Sequence, residues 1–153
     1  MVTESTPWTQ TEFKQLELGD ARLNKRARLL MERMAADPMA SVPKACQGWG
    51  ETMAAYRFFD NDKVEWHAIL EPHWQQTQER MQAHRVVLCV QDTSELDFNG
   101  QGAIGLGPLS YEAQRGMYLH PTYAVTPQRE PLGILDAWMW AREKKDESGK
   151  RGG

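Results

Sequence analysis

Only two cysteines, Cys46 and Cys89, occur in the 153 residues. That excludes a disulfide framework, and because both fall in apolar segments they read as core thiols of a protein held in a reducing compartment. Long hydrophobic runs are missing as well. None approaches the ~18 apolar residues of a membrane span, and Met1 to Trp8 is too polar for a signal peptide. The expectation is a soluble cytoplasmic protein with no membrane partner. Excess positive charge is also lacking: the formal net charge is −3 and the isoelectric point about 5.8. Any nucleic-acid role must therefore rest on local clusters of cations. There are no internal repeats. What is present is a 41% hydrophobic content, enough to core one ordinary domain or two small ones.

Two kinds of pattern divide the chain. From Trp8 to His84 the spacing predicts helices, punctuated at Gly19, Pro38, Gly48 and Asn61. After His84 the period changes. Arg85 to Gln91 is a continuous apolar run rich in valine and predicts a strand buried on both faces. A glycine-rich stretch, Asn99 to Gly107, reads as a mobile loop. It lacks the order and the Lys-Ser/Thr of a phosphate loop. Gly116 to Val125 and Leu132 to Ala141 then predict a hairpin turning at Thr126 to Pro131. Lys144 to Gly153, charged and then glycine-rich, reads as a disordered tail.

Asp20 is placed to cap a helix running to Ala35, with Asp37-Pro38 as its stop. At about 100° per residue, Leu23, Ala27, Leu30, Met31 and Met34 gather on one side and Arg22, Lys25, Arg26 and Arg33 on another. One face packs and the other is cationic. That cationic face is either a solvated surface or a set of phosphate contacts. A second helix is expected with Ser41 as N-cap, Pro43 in its first turn, Lys44 on its surface and Gly48 as its stop. A third, Glu51 to Phe59, points Met53, Tyr56 and Phe59 toward a core, with Arg57 beside them. Short helices joined by such turns build helix-turn-helix modules, and plain helical bundles as well.

Asp92 closes the apolar strand and is followed by Thr93 and Ser94. Chemistry in α/β sheets collects beyond the carboxyl ends of strands, which favours a role for this carboxylate. An Asp-Thr-Ser sequence in that place is also a common turn. The four histidines, His67, His73, His84 and His120, meet no zinc spacing and read as core-edge or surface residues. Asp97 follows too closely on Asp92, and Asp136 lies within the second hairpin strand. Structural or surface roles are expected for both.

Several blocks, in order, resemble the insertion-sequence-four family of bacterial DDE transposases, the Tn-five-like group. Leu18-Gly19-Asp20-Ala21-Arg22 resembles the start of its DNA-binding domain. Ala55-Tyr56-Arg57-Phe58-Phe59 with Asn61 resembles its Ala-Tyr-Arg-Phe block, and Val90-Gln91-Asp92-Thr93-Ser94 the strand with the first acid of the triad. Arg115-Gly116-Met117, His120 and Trp138 resemble the hairpin that follows. The resemblance spans roughly residues 8 to 145.

It implies an α+β chain: a helical DNA-binding domain over residues 1–66, the first strands of a ribonuclease-H-like catalytic domain over 67–143, and the tail over 144–153. Asp92 would be a catalytic residue and metal ligand, since carboxylates hold the two hard cations of phosphoryl transfer. Arg22 and Arg57 match basic positions of the family, and Arg57 has two readings of equal standing, a DNA contact or an internal ion pair with Glu51 or Asp60. Lys25, Arg26, Arg33 and Lys44 are added from the helix pattern as DNA contacts. The partner implied is double-stranded DNA at transposon ends, in a bacterial cytoplasm and at the nucleoid when bound. A dimer is implied for the full-length family alone.

The family's second aspartate and its glutamate, with the Tyr-Arg-Glu-Lys motif, have no counterpart here. The chain therefore reads as truncated or partial, and Mg²⁺ or Mn²⁺ is expected only with a complete set of acids. Two other readings remain. One is a non-catalytic DNA-binding remnant or regulator that occupies transposon ends. The other is a small helical interaction module without affinity for DNA.

Overall fold

The computed structural model describes residues 7–144, so residues 145–153 of the expected tail lie outside the described residues. The chain divides into two compact units, Met1–Gln76 and Thr77–Gly153. The architecture is α+β, helices followed by an antiparallel sheet.

The first unit is built from α1 (Trp8–Glu12), α2 (Ala21–Ala36), α3 (Val42–Ala45), α4 (Gly48–Phe59) and the first part of α5 (Trp66–Met81). Gly19 takes a positive φ of 85°, which turns the chain into α2. Asp20 then caps that helix by accepting from the Arg22 N–H at 2.8 Å. Asn24 holds the same turn from inside, its side-chain oxygen accepting from the Leu18 N–H at 2.7 Å. Asp37, ahead of Pro38, ends α2 as the sequence predicts. Phe13, Leu16, Leu18, Ala27, Leu30, Cys46, Ala55 and Phe58 form one buried cluster. Each large side chain there is worth roughly 1.5–3 kcal/mol of burial.

Three helical expectations need correction. Gly48 does not stop a helix: α3 ends at Ala45, and Gly48, at φ 80°, starts α4. The phase of α4 is turned by one position, so that Thr52, Ala55 and Phe58 are buried while Tyr56 and Phe59 are exposed. The reason lies outside the helix itself, because the neighbour it packs against, α2, decides which stripe is covered. Met34, near the end of α2, is likewise exposed. The last helix of the unit, α5, runs through Pro72 without a break.

In the second unit β4 (Arg115–Val125) is the central strand. On one side it pairs with β5 (Pro131–Trp140), from Tyr118 opposite Trp140 to Val125 opposite Pro131. The connecting turn is closed where the sequence places it, with the Thr126 hydroxyl accepting from the Glu130 N–H at 3.0 Å. On its other side β4 meets β1 (Leu88–Gln91) and then β2 (Ser94–Asp97). A short β3 (Gly107–Pro108) also pairs with the start of β4. Gly116 is required here, because a Cβ on it would lie 1.9 Å from the Leu96 carbonyl oxygen. Gly107, expected in the loop, belongs to β3 and is packed as closely on the Arg142 backbone.

The apolar run at Val86 to Val90 is not buried on both faces. Val86, Leu88 and Val90 are about half exposed, at 55%, 47% and 49%, and Cys89 is an exposed thiol rather than a core one. The physical reason is the topology: β1 has a single strand neighbour, β4, among the described residues. Cys46, by contrast, is buried in the helical core.

Candidate nucleic-acid interface

Two stretches far apart in sequence, Leu18 to Arg26 and Ala54 to Lys63, wall a single cleft of about 690 Å³ in the helical unit. Its apolar lining is Leu18, Leu23, Ala54 and Phe58, and its cations are Arg22 and Arg26 from α2, Arg57 from α4, and Lys63. Lys63 follows the turn after α4, where its backbone N–H donates to the Asn61 side chain at 2.9 Å. Arg22 is partly neutralised by a two-pronged pairing with Asp20, with contacts of 2.9 and 3.2 Å. The hydrogen bonds from Arg22 hold the Asp20 carboxyl below its ordinary range. No ion pair joins Arg57 to Glu51 or Asp60 among the described residues. A cleft with several cations, one of them offset, and an apolar wall suits a polyanion with a hydrocarbon flank, which describes a sugar-phosphate backbone.

Of the six cationic residues singled out from the sequence, Arg22, Arg26 and Arg57 converge on this cleft. Lys25 lines a second cleft of about 620 Å³ on the flank of α2, with Lys14 and Arg28. Lys44 sits 3.7 Å from Asp37 on the surface. Arg33 faces inward instead, and its guanidinium grips Glu51 with bonds of 2.9 and 3.0 Å, tying α2 to α4. Glu51 also accepts from the Gln47 N–H at 2.7 Å, at the start of α4. With the Arg33 bond as the larger cause and the backbone donor second, the Glu51 carboxyl is lowered to about 2. The pair is mostly buried, so the partner that sequence offered to Arg57 is taken by Arg33. Lys63 was missed. The only signal for it is its position just after Asn61, and the fold is what brings it to α2.

Asp92 lies in the other unit, directly after Gln91, the last residue of β1, as expected, but the sheet there is antiparallel. Gln91 faces Thr122 and Ser94 faces Leu119, so β1 and β2 follow β4 in one uninterrupted register. No pairing is formed at Asp92 and Thr93, between the end of β1 and the start of β2. Asp92 is therefore an exposed carboxylate at a gap within an antiparallel line. The rule about carboxyl ends of α/β sheets does not apply to it. Its Oδ1 accepts from the Thr93 N–H at 2.9 Å, and Thr93 Oγ1 shares a 2.7 Å hydrogen bond with His120 Nδ1.

Asp97 stands opposite Gly116 in β2, and Asp136 opposite Thr122 in β5. Asp97 accepts from the Asn99 N–H at 2.8 Å, and Asp136 from the Ala137 N–H at 2.7 Å. Among the described residues no three His, Cys, Asp or Glu side chains gather as a metal site. One carboxylate does not fit a two-ion centre. Of the histidines, His73 meets Glu12 at 2.6 Å and His67 stacks on Trp66 at 3.6 Å.

Residues 5–64 match the family model of transposase DNA-binding domains. The matched segment contains both walls of the basic cleft. This supports a transposase-related DNA-binding role, with DNA as the partner of the helical unit. No helix among the described residues is long and apolar enough to cross a membrane.

Proposed function

We propose that the helical unit binds double-stranded DNA at the ends of a transposable element, in the manner of insertion-sequence-four DDE transposases of the Tn-five-like group. The observation that carries this reading is the convergence of Leu18–Arg22 and Arg57–Asn61, both quoted in that resemblance, on one cationic cleft inside the matched segment. Arg26, Arg57 and Lys63 neutralise phosphates there, and Arg22 contributes through its pairing with Asp20. Lys25 and Lys44 are outlying contacts, while Arg33 acts by bracing α2 against α4. In this reading the chain works in a bacterial cytoplasm, at the nucleoid when bound, and dimerisation belongs to the full-length family.

The test is a titration of the full chain with labelled duplex at several salt concentrations. Arg26→Glu with Arg57→Glu should abolish the salt-dependent binding while leaving the helical signal in circular dichroism intact. Wild-type affinity in that variant would sink the reading.

The sheet unit is read as the opening strands of a ribonuclease-H-like domain, with Asp92 as the first acid of the DDE triad. Mg²⁺ or Mn²⁺ belongs to that site only when the remaining acids are supplied. A second reading, occupation of transposon ends without chemistry, is favoured by one observation: Asp97 and Asp136 are each engaged by the backbone N–H of a near neighbour, Asn99 and Ala137. Metal-dependent strand cleavage by the chain alone would eliminate it.

A further inference from the structure

Clefts flank α2 on both sides. Arg22 and Arg26 look into the one already described. Lys25, Arg28 and Leu29 look into the other, whose far wall comes from the chain around α1, with Lys14 and Gln10. The solvent-facing part of α2 thus stands as a ridge between two hollows, each with cations in its lining. On the ridge, Lys25 and Arg22 are exposed, and Leu29, one turn on from Lys25, is half-buried. In the second cleft the one acid, Glu32, is engaged by the Thr9 hydroxyl. Arg28 is anchored by donating to the Phe13 carbonyl at 3.1 and 3.2 Å. Its position is thereby fixed while its charge remains.

A duplex groove has the complementary form. Two phosphate chains border a channel of base edges, and the major groove, about 12 Å wide, admits one α-helix. We infer that α2 is the element that enters the major groove of the bound duplex, with one backbone received in the Arg26 and Arg57 cleft and the other in the Lys14 and Arg28 cleft. Lys25 and Leu29, at the crest, then meet base edges. An ammonium there donates to guanine N7, and an isobutyl group packs on a thymine methyl. The inference rests on the proposed DNA-binding role and adds to it the groove, the helix and the residues that discriminate sequence. Lys25, an outlying contact by its cleft alone, becomes a specificity residue.

The full chain is used to select duplexes from a randomised pool, and the selected duplex is compared with a scrambled one for wild type, Lys25→Ala, Leu29→Ala and Lys14→Ala. Lys25→Ala should lower the preference for the selected duplex by about tenfold to a hundredfold, with affinity for the scrambled duplex nearly unchanged. Lys14→Ala should weaken both duplexes alike and reduce the salt dependence by about one ion. Replacing the selected guanines by 7-deazaguanine should reproduce the Lys25→Ala loss in wild type. Equal weakening of both duplexes by Lys25→Ala, or no response to 7-deazaguanine, overturns the groove assignment while leaving DNA binding in place. Failure of the wild-type chain to bind any duplex overturns the proposed function instead. Leu29→Ala serves as a folding check: its helical signal must match wild type, and its preference should fall only on selected duplexes that contain thymine at the affected step.

Discussion

The two units cover their apolar side chains by different means. In the helical unit, Ala27, Leu30, Ala55 and Phe58 are buried in one cluster. In the sheet unit, Val86, Leu88, Val90 and Trp138 are exposed. A helix that is apolar along one stripe is satisfied by one neighbour, and α2 and α4 supply each other. A strand that is apolar on both faces needs a layer above and a layer below. The sheet unit does bury Leu109, Tyr118, Ala124 and Leu132, and the helical unit in turn exposes Met39, Trp49 and Phe59. In both units, therefore, the same residue types carry stability where a neighbour covers them and little where none does.

The largest effect expected from that contrast is at Phe58. Phe58→Ala leaves a cavity in the helical core and should cost about 3–5 kcal/mol, read as a lower midpoint of the helical signal on heating. If the midpoint holds, the core is not where the structure puts it.

Next comes the Arg33 and Glu51 pair, which joins two helices from a mostly buried position. Arg33→Met should cost about 1–2 kcal/mol, allowing for partial screening by solvent. Because the Glu51 carboxyl is lowered to about 2 from 4.5 in the folded chain, its contribution is complete above the unfolded value and is lost as pH falls toward 2. The stability of Glu51→Gln should accordingly depend less on pH between about 4.5 and 2 than that of wild type. Identical acid profiles would mean that the pair does not stabilise the fold.

A smaller effect is expected for Arg57→Ala, which should weaken duplex binding about tenfold and reduce the salt slope by about one, with thermal stability unchanged. Asp92→Asn should leave both stability and duplex affinity as they are, since the carboxylate is exposed and lies outside the helical unit. A change in affinity with that variant would tie the sheet unit to end binding. The smallest effect is at the strand edge, where Leu88→Ser and Val90→Ser should each stay within about 0.5 kcal/mol of wild type. A large loss there would mean that β1 is covered after all.

Much of the local structure was legible in the chain. Asp20, the Asp37-Pro38 stop and the Thr126 turn act through backbone chemistry that belongs to the residues themselves, so α2 and the β4–β5 hairpin form where they are expected. The phase of α4 was not legible, because Tyr56 and Phe59 are as apolar as Phe58 and only packing against α2 chooses among them. In the same way a run of valines signals a strand but not its cover. At the candidate site, Arg22 and Arg26 stood out by type and helix spacing, and Arg57 through the family resemblance. Lys63 was missed, and Arg33 was credited with an exposed role, because pairing across helices has no local signature.

Local chemistry along the chain was enough to set the order of helices and strands, the caps and turns that bound them, and the presence of cations at the front. These depend on interactions between near neighbours, whose geometry the backbone fixes. Folding alone settled which cations share a cleft, that Glu51 belongs to Arg33, and that β1, which Asp92 follows, pairs antiparallel with β4. Each of those depends on two segments far apart in the chain coming within a few ångströms, and that closeness exists only once the core has closed or the strands have paired.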